Sequence, residues 1–433
     1  MAANSPIPPV FEMLTTMFSR SFFLWLLCSC IPLFSQGQQA IPPALAGALR
    51  KSGLPKEAES VTIPLQSTFW GFILEARIDG KPSRLILDTG AAGTILTPQA
   101  ARNLNLPALV RGMNVVDARG EQLATKRTLT KRISLGNAWT ENEPVLISEL
   151  ITGVEGAGIA GVLGVSTLVD WDVRIDPSAR ELILFPAGKA PSLAGETAIP
   201  LTCDLANPAA GTSTPQAYRM INLTVPVRIG KHELAATPDT GDGGGIFQLS
   251  SVLVEKFLPE VMTTAQPALV RGITPSGKMA TRTVRLPEFT FGPDTLKDLP
   301  VDVLNAPPDS RREREGIIGL NLLRHYVMTF RFSAGELRLK PLGTVQEITR
   351  ASTAGINMDQ DNRLLSVVPD GPADKAGLRV GDKLLEIEGH ALKTMTPEKF
   401  AAFKRLPPGS VVKVRYRRGQ SDPVDVKLVL EKK

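Results

Sequence analysis

The strongest constraint on this chain is that three motifs occur twice, in the same order. Asp-Thr-Gly stands at 88–90 and 239–241, and ALVRG at 108–112 and 268–272. A Gly-apolar-apolar-Gly follows each time, as Gly161-Val162-Leu163-Gly164 and as Gly316-Ile317-Ile318-Gly319. It begins 73 positions after Asp88 and 77 after Asp239. A lone Asp-Thr-Gly is expected by chance roughly 0.1 times in a chain of this size, so two in register with further motifs indicate a duplication. Both copies also close alike. LVDWDVRIDPSARELILF (168–185) and LRHYVMTFRFSAGELRLK (323–340) each read as strand, turn and strand. The copies run over 60–188 and 196–342, and PAGKAPSLAGE (186–196) links them.

Composition agrees with a many-stranded chain. The 35 Pro and 37 Gly punctuate it too densely for long helices, and a charged fraction of 21% is too low for disorder. The net charge of +6 is spread along the chain, with its densest cluster at Arg415, Arg417 and Arg418. A nucleic-acid binder concentrates such charge on one element, so no nucleic-acid partner is expected. His232, His325 and His390 are scattered and no cysteine cluster exists, so neither a metal nor a cofactor is expected.

The stretch SFFLWLLCSCIPLF (21–34) follows Arg20 and precedes Ser35-Gln36-Gly37. A basic residue, a short apolar run and small residues in sequence read as an export signal over 1–37. The product is then periplasmic or extracellular. Leu27-Cys28-Ser29-Cys30 leaves a lipoprotein open, with Cys30 lipidated, and an uncleaved signal would also anchor the chain to a membrane. After removal of the signal only Cys203 remains, and it has no partner for a disulfide.

In SRLILDTGAAGTIL (83–96) a buried strand delivers Asp88 into a tight turn, and Thr97-Pro98 then opens a helix. HELAATPDTGDGGGIFQL (232–249) brings Asp239 to the corresponding place. An isolated turn aspartate is most simply a backbone hydrogen-bond acceptor. Two of them, one from each related lobe, meet if the lobes pack about a pseudo-twofold axis. Like charges that close share a proton. The pair can then activate a water and protonate a leaving nitrogen.

These motifs resemble the retropepsin-like and pepsin-like aspartic peptidases, and the two-lobed arrangement resembles bacterial aspartyl proteases that carry a PDZ domain. The resemblance covers about 60–342. It implies that Asp88 and Asp239 are catalytic, with Thr89, Gly90, Thr240 and Gly241 supporting them. It implies a scaffold role for Gly161, Gly164, Gly316 and Gly319. It also places substrate flaps at Val110–Gln122, with Gly112 and Gly120 as turn points, and at Val270–Lys278, with Gly272. Thr237-Pro238 before the second Asp and Gly243-Gly244-Gly245 after it depart from the pattern and predict a looser second turn.

Residues 350–431 include NRLLSVVPDGPADKAGLRVGDKLLEIEGHAL (362–392), which resembles a PDZ domain. The resemblance implies a carboxylate loop at Gly355, Ile356, Asn357 and Met358. It also implies a groove helix from Thr396-Pro397 through Phe400 and Phe403. Helical spacing alone equally assigns those two rings to core packing. The expected architecture is mostly β, with two related aspartic-protease-like β-barrel lobes followed by an α+β PDZ domain. The expected function is an exported aspartic endopeptidase acting on polypeptides as a monomer, its PDZ groove binding peptide or protein tails. The alternative is a degenerate peptide-binding protein of the same fold.

Overall fold

The computed structural model describes residues 50–432 except 69–70, 108–109, 117–121, 149–157, 206–219, 244, 266–268, 275–276, 305–314, 351, 360, 396 and 405. The expected export signal therefore lies outside the described residues, as do Gly120 and Thr396.

The first lobe is built from β1 (Lys51–Gly53), β2 (Val61–Thr68), β3 (Gly71–Ile78), β4 (Lys81–Leu87), β5 (Ile95–Leu96), β6 (Val110–Val116), β7 (Gln122–Leu135), β8 (Ala138–Ile147) and β9 (Ile159–Leu163). Its strands order as β2-β3-β4-β9-β5-β8-β7-β6. Two features position the site. β4 runs parallel to β9, and β9 runs antiparallel to β5. The chain therefore leaves β4 through the Asp88 turn, and the later strand β9 slots between β4 and β5. The second lobe repeats this with β13 (Thr202–Leu205), β14 (Ile221–Ile229), β15 (His232–Asp239), β16 (Phe247–Ser250), β17 (Leu269–Thr274), β18 (Gly277–Phe291), β19 (Asp294–Leu304) and β20 (Glu315–Gly319). There β15 lies parallel to β20, and β20 antiparallel to β16.

Glycines make the slot possible. A Cβ on Gly161 would sit 2.0 Å from the Ile95 carbonyl oxygen, and one on Gly319 would sit 2.4 Å from that of Gly245. Only a residue without a side chain lets those backbones approach. This is the packing work expected of the Gly-apolar-apolar-Gly pair.

The lobes share a platform. β10 (Trp171–Asp176) and β11 (Glu181–Pro186) form one hairpin, β21 (Tyr326–Arg331) and β22 (Glu336–Pro341) the other. β10 pairs antiparallel with β21, with Val173 opposite Phe330. β12 (Thr197–Pro200) and β2 flank the set. Both hairpins fall where their alternating apolar residues predict, and the alternate residues turn into one core that runs through both lobes.

The third part has its own core, including Leu364, Leu378, Leu384, Val414 and Leu428. It comprises β23 (Ser352–Thr353), β24 (Ile356–Met358), β25 (Leu364–Val367), β26 (Lys383–Ile387), β27 (His390–Ala391), β28 (Val411–Arg417), β29 (Val424–Val429) and β30 (Glu431–Lys432), with helices Pro372–Lys375 and Pro397–Lys404. A 3-10 turn at Val345–Arg350 buries Val345 and Ile348 in the core of the lobes. Lys432 pairs with Asp298 of the second lobe. β17 comes within 8 Å of β24 and β25, measured between Cα atoms.

The first lobe begins earlier than position 60. β1 pairs antiparallel with β8, with Ser52 opposite Thr140, and so brings residues 51–53 into the lobe.

Candidate active site

Asp88 follows β4, and the Thr97 cap predicted from sequence stands just beyond the turn. The Thr97 hydroxyl accepts from the Ala100 N–H at 3.1 Å, opening the helix Pro98–Leu104. Within the turn, one oxygen of Asp88 accepts from the N–H groups of Gly90 (2.9 Å) and Ala91 (2.8 Å). Asp239 does the same with Gly241 (2.8 Å) and Asp242 (3.1 Å). Each carboxylate is thus fixed by its own turn.

The turns then lock to each other. The Thr89 hydroxyl donates to the Pro238 carbonyl at 2.7 Å and accepts from the Thr240 N–H at 3.1 Å. The Thr240 hydroxyl donates to the Leu87 carbonyl at 2.7 Å and accepts from the Thr89 N–H at 3.1 Å. Both threonines are buried. The expected loosening by Pro238 is not seen. The bonds that hold this turn use the Pro238 carbonyl, and the N–H that proline lacks is not needed. The Asp242 carboxylate accepts from Gly245 N–H (3.0 Å) and Gln248 Nε2 (2.7 Å); Gly244 lies outside the described residues.

The lock brings the two carboxyls together. A Cβ on Gly90 would lie 2.3 Å from Asp239 Cγ, and one on Gly241 would lie 2.4 Å from Asp88 Cγ. Asp88 is hydrogen-bonded to Asp239. Burial, and next the charge of Asp239, hold the Asp88 carboxyl well above the usual carboxylate range, against the pull of the Ala91 and Gly90 N–H groups. Two facing acids with a raised affinity for one proton can polarise a water and a carbonyl between them. From the start of β3, Gly71 also reaches this point. A Cβ there would lie 2.9 Å from the Thr240 carbonyl oxygen, a contact that no motif signals.

The expected flaps are hairpins, β6 with β7 and β17 with β18. Gly112 is not the turn point expected of it, and Gly272 is likewise a strand residue. They lie within β6 and β17, where the register slips by one residue, between Arg111 and Asn114 and between Val270 and Gly272. In both copies the repeated Val-Arg-Gly thus coincides with a β-bulge, and in the second the residue left over is Arg271, with Gly272 opposite Met279. The hairpin ends fall later, after Val116 and after Thr274.

In the third part, Ile356, Asn357 and Met358 form strand β24 and are not loop residues; of the four expected, Gly355 alone stands at the turn, with φ +70°. The Thr353 hydroxyl accepts from the Gly355 N–H at 2.9 Å. Phe400 and Phe403 lie on the helix Pro397–Lys404 and pack, partly buried, against the core.

Sequence reasoning missed one buried cluster. The Arg50 guanidinium lies between Glu143 and Asp170, within bonding reach of both. Glu143 is fully enclosed, and nothing in its polar surroundings, Thr140-Glu141-Asn142-Glu143, signals that.

The family model described as aspartyl protease matches residues 74–167 and 225–322. One described as a PDZ domain matches residues 363–418. Among solved structures, the aspartic proteinase from Irpex lacteus is 14% identical at TM-score 0.42, with 67% of this chain and 99% of that one covered. A structure described as edgp is 11% identical at TM-score 0.36, with 66% and 95% covered. No curated protein matches the chain.

Proposed function

We propose that this chain, an aspartyl protease family protein with two lobes and a C-terminal PDZ domain, is an exported endopeptidase that hydrolyses peptide bonds with water activated by Asp88 and Asp239. The carrying observation is the facing pair of carboxyls, each fixed by two N–H groups of its own turn and both set by the Thr89–Thr240 lock. One proton serves the pair. The ionised member takes a proton from a water held between them. The protonated member donates to the peptide carbonyl as the water attacks. The proton taken from water then passes to the leaving nitrogen, and as the C–N bond breaks a hydroxyl of the tetrahedral intermediate returns its proton to the other carboxylate, which regenerates the singly protonated pair. Thr89, Gly90, Thr240 and Gly241 keep the carboxyls in place, and the two hairpins flank the substrate.

The likeness of the two turns favours this reading over a degenerate binding protein. The PDZ domain takes a peptide or protein tail as an added strand on β24, the edge of its two-stranded sheet. Export rests on the signal over 1–37, with Cys30 lipidation as the route by which the chain would stay at a membrane. Both lobes come from one chain, so a monomer suffices.

The test is to incubate protein starting near Gln38 with a diverse peptide mixture from acidic to neutral pH. New termini that require no added metal or cofactor are expected. Binding of peptides with no cleavage at any pH would instead assign the chain to the non-catalytic class.

A further inference from the structure

The catalytic turn of the first lobe is the end of a buried hydrogen-bonded chain that starts ahead of β1. The Arg50 guanidinium bonds to Glu143 and Asp170 and donates to the Ser166 carbonyl at 2.8 Å. Ser52 also donates to Asp170, at 2.8 Å. The Glu143 carboxylate accepts from the Ser166 hydroxyl (2.8 Å) and the Thr167 hydroxyl (3.1 Å). The Thr167 hydroxyl pairs with that of Thr94 at 2.6 Å, and Thr94 accepts from the Gly164 N–H at 3.1 Å. Two bonds carry this to the site. Val165 N–H donates to the Ala91 carbonyl at 2.9 Å, and Asp88 N–H to the Leu163 carbonyl at 3.1 Å. Thr94 and Thr167 are fully enclosed, as is Glu143.

The side chains that build this chain are not repeated in the second lobe. Gly245, Asn321 and Leu322 stand where Thr94, Ser166 and Thr167 stand in the first. Its turn is held from within by Asp242. The first turn, with Ala91 in place of that acid, depends on side chains from outside it.

We infer that Arg50 is a positioning residue for Asp88, which it orients through Glu143, Ser166, Thr167 and Thr94; the inference rests on the dyad reading above. Arg50 supplies the positive charge that faces an enclosed carboxylate otherwise held only by hydroxyl groups, and it grips the Ser166 carbonyl. Glu143 can then hold both hydroxyls of the Gly164–Thr167 segment in one arrangement. Trimming the chain beyond Arg50 would remove that grip along with the strand register of β1.

The test compares full mature-length protein with Arg50→Met, Arg50→Lys and the pair Arg50→Met with Glu143→Gln. Two readouts are taken: peptide-cleavage kinetics, and amide hydrogen exchange over residues 88–94 and 163–165 without substrate. Arg50→Met is expected to speed exchange at Gly90 and Ala91 and to lower kcat about tenfold with KM within about twofold, since a small displacement of a reacting group acts on the chemical step. Arg50→Lys keeps the charge but not the fork, and is expected to fall between parent and Met. Glu143→Gln in the Met background removes the stranded charge and keeps an acceptor for both hydroxyls. That pair is expected to fold and to recover part of both readouts. Unchanged exchange and kcat in Arg50→Met, or in Arg50→Lys should Met not fold, overturns the inference. If the parent itself cleaves nothing, the dyad reading fails, and the exchange readout alone decides whether Arg50 orders the turn.

Discussion

Replacing Thr89 by valine keeps the shape of the side chain and deletes its hydroxyl. Two bonds disappear, the one donated to the Pro238 carbonyl at 2.7 Å and the one accepted from the Thr240 N–H at 3.1 Å. Thr89, Pro238 and Thr240 are all buried, so water cannot replace what is lost. Leaving a buried donor or acceptor unsatisfied costs about 1–3 kcal/mol, which gives about 2–6 kcal/mol for the two. Thr89→Ser keeps the hydroxyl and removes one methyl group, for about 1 kcal/mol. Urea unfolding followed by tryptophan fluorescence separates the two variants. All four tryptophans, at 25, 70, 139 and 171, precede the second lobe and the PDZ domain, so the signal reports on the first half of the chain. A valine variant destabilised by less than about 1 kcal/mol at unchanged m, or a serine variant as weak as valine, would refute the reasoning that this lock holds the lobes together.

Two further outcomes follow from protonation. Asp88 holds its proton well above the usual range, so the folded state binds more protons than the unfolded state over that window, and stability falls as pH rises through it. Asp88→Asn, which cannot ionise, is therefore expected to be more stable than the parent near about pH 7 and equal to it near about pH 3, as thermal scans at both values would record. Asp382 has the opposite sign. Burial alone would raise its carboxyl, but bonds from Arg418, at 2.8 Å to each oxygen, and from the Arg379 N–H at 2.8 Å hold it below its ordinary range. That stability is present above the unfolded value and lost as pH falls through the folded one. Asp382→Asn should lower the calorimetric transition of the PDZ domain at neutral pH, with the difference from the parent shrinking in acid.

The duplicated motifs made the lobes, the facing aspartates and the closing hairpins legible, because each rests on residues close in sequence. What escaped depends on residues far apart. Arg50 is one of two adjacent basic residues at the end of an apolar stretch, and it acquires meaning only when β1 pairs with β8, some ninety positions away. Glu143 reads as a solvent-facing residue of an alternating strand until Arg50 and the helix after Gly164 enclose it. Gly112 was expected at a turn, and only the strand register shows that it lies within β6, where the pairing slips, and not at the end of the hairpin. Pro238 misled for a related reason. A missing N–H matters only where the fold calls for that donor, and here the fold uses the carbonyl.

The central claim is that Asp88 and Asp239 act as one unit, and the direct test is non-additivity. Cleavage of one peptide would be measured for Asp88→Asn, Asp239→Asn and the double variant at the pH of highest activity. If the two carboxyls share one proton and one water, each single variant loses as much activity as the double. If one single variant keeps most of the parent activity, or the two losses multiply in the double, the carboxyls act separately and the shared dyad is contradicted.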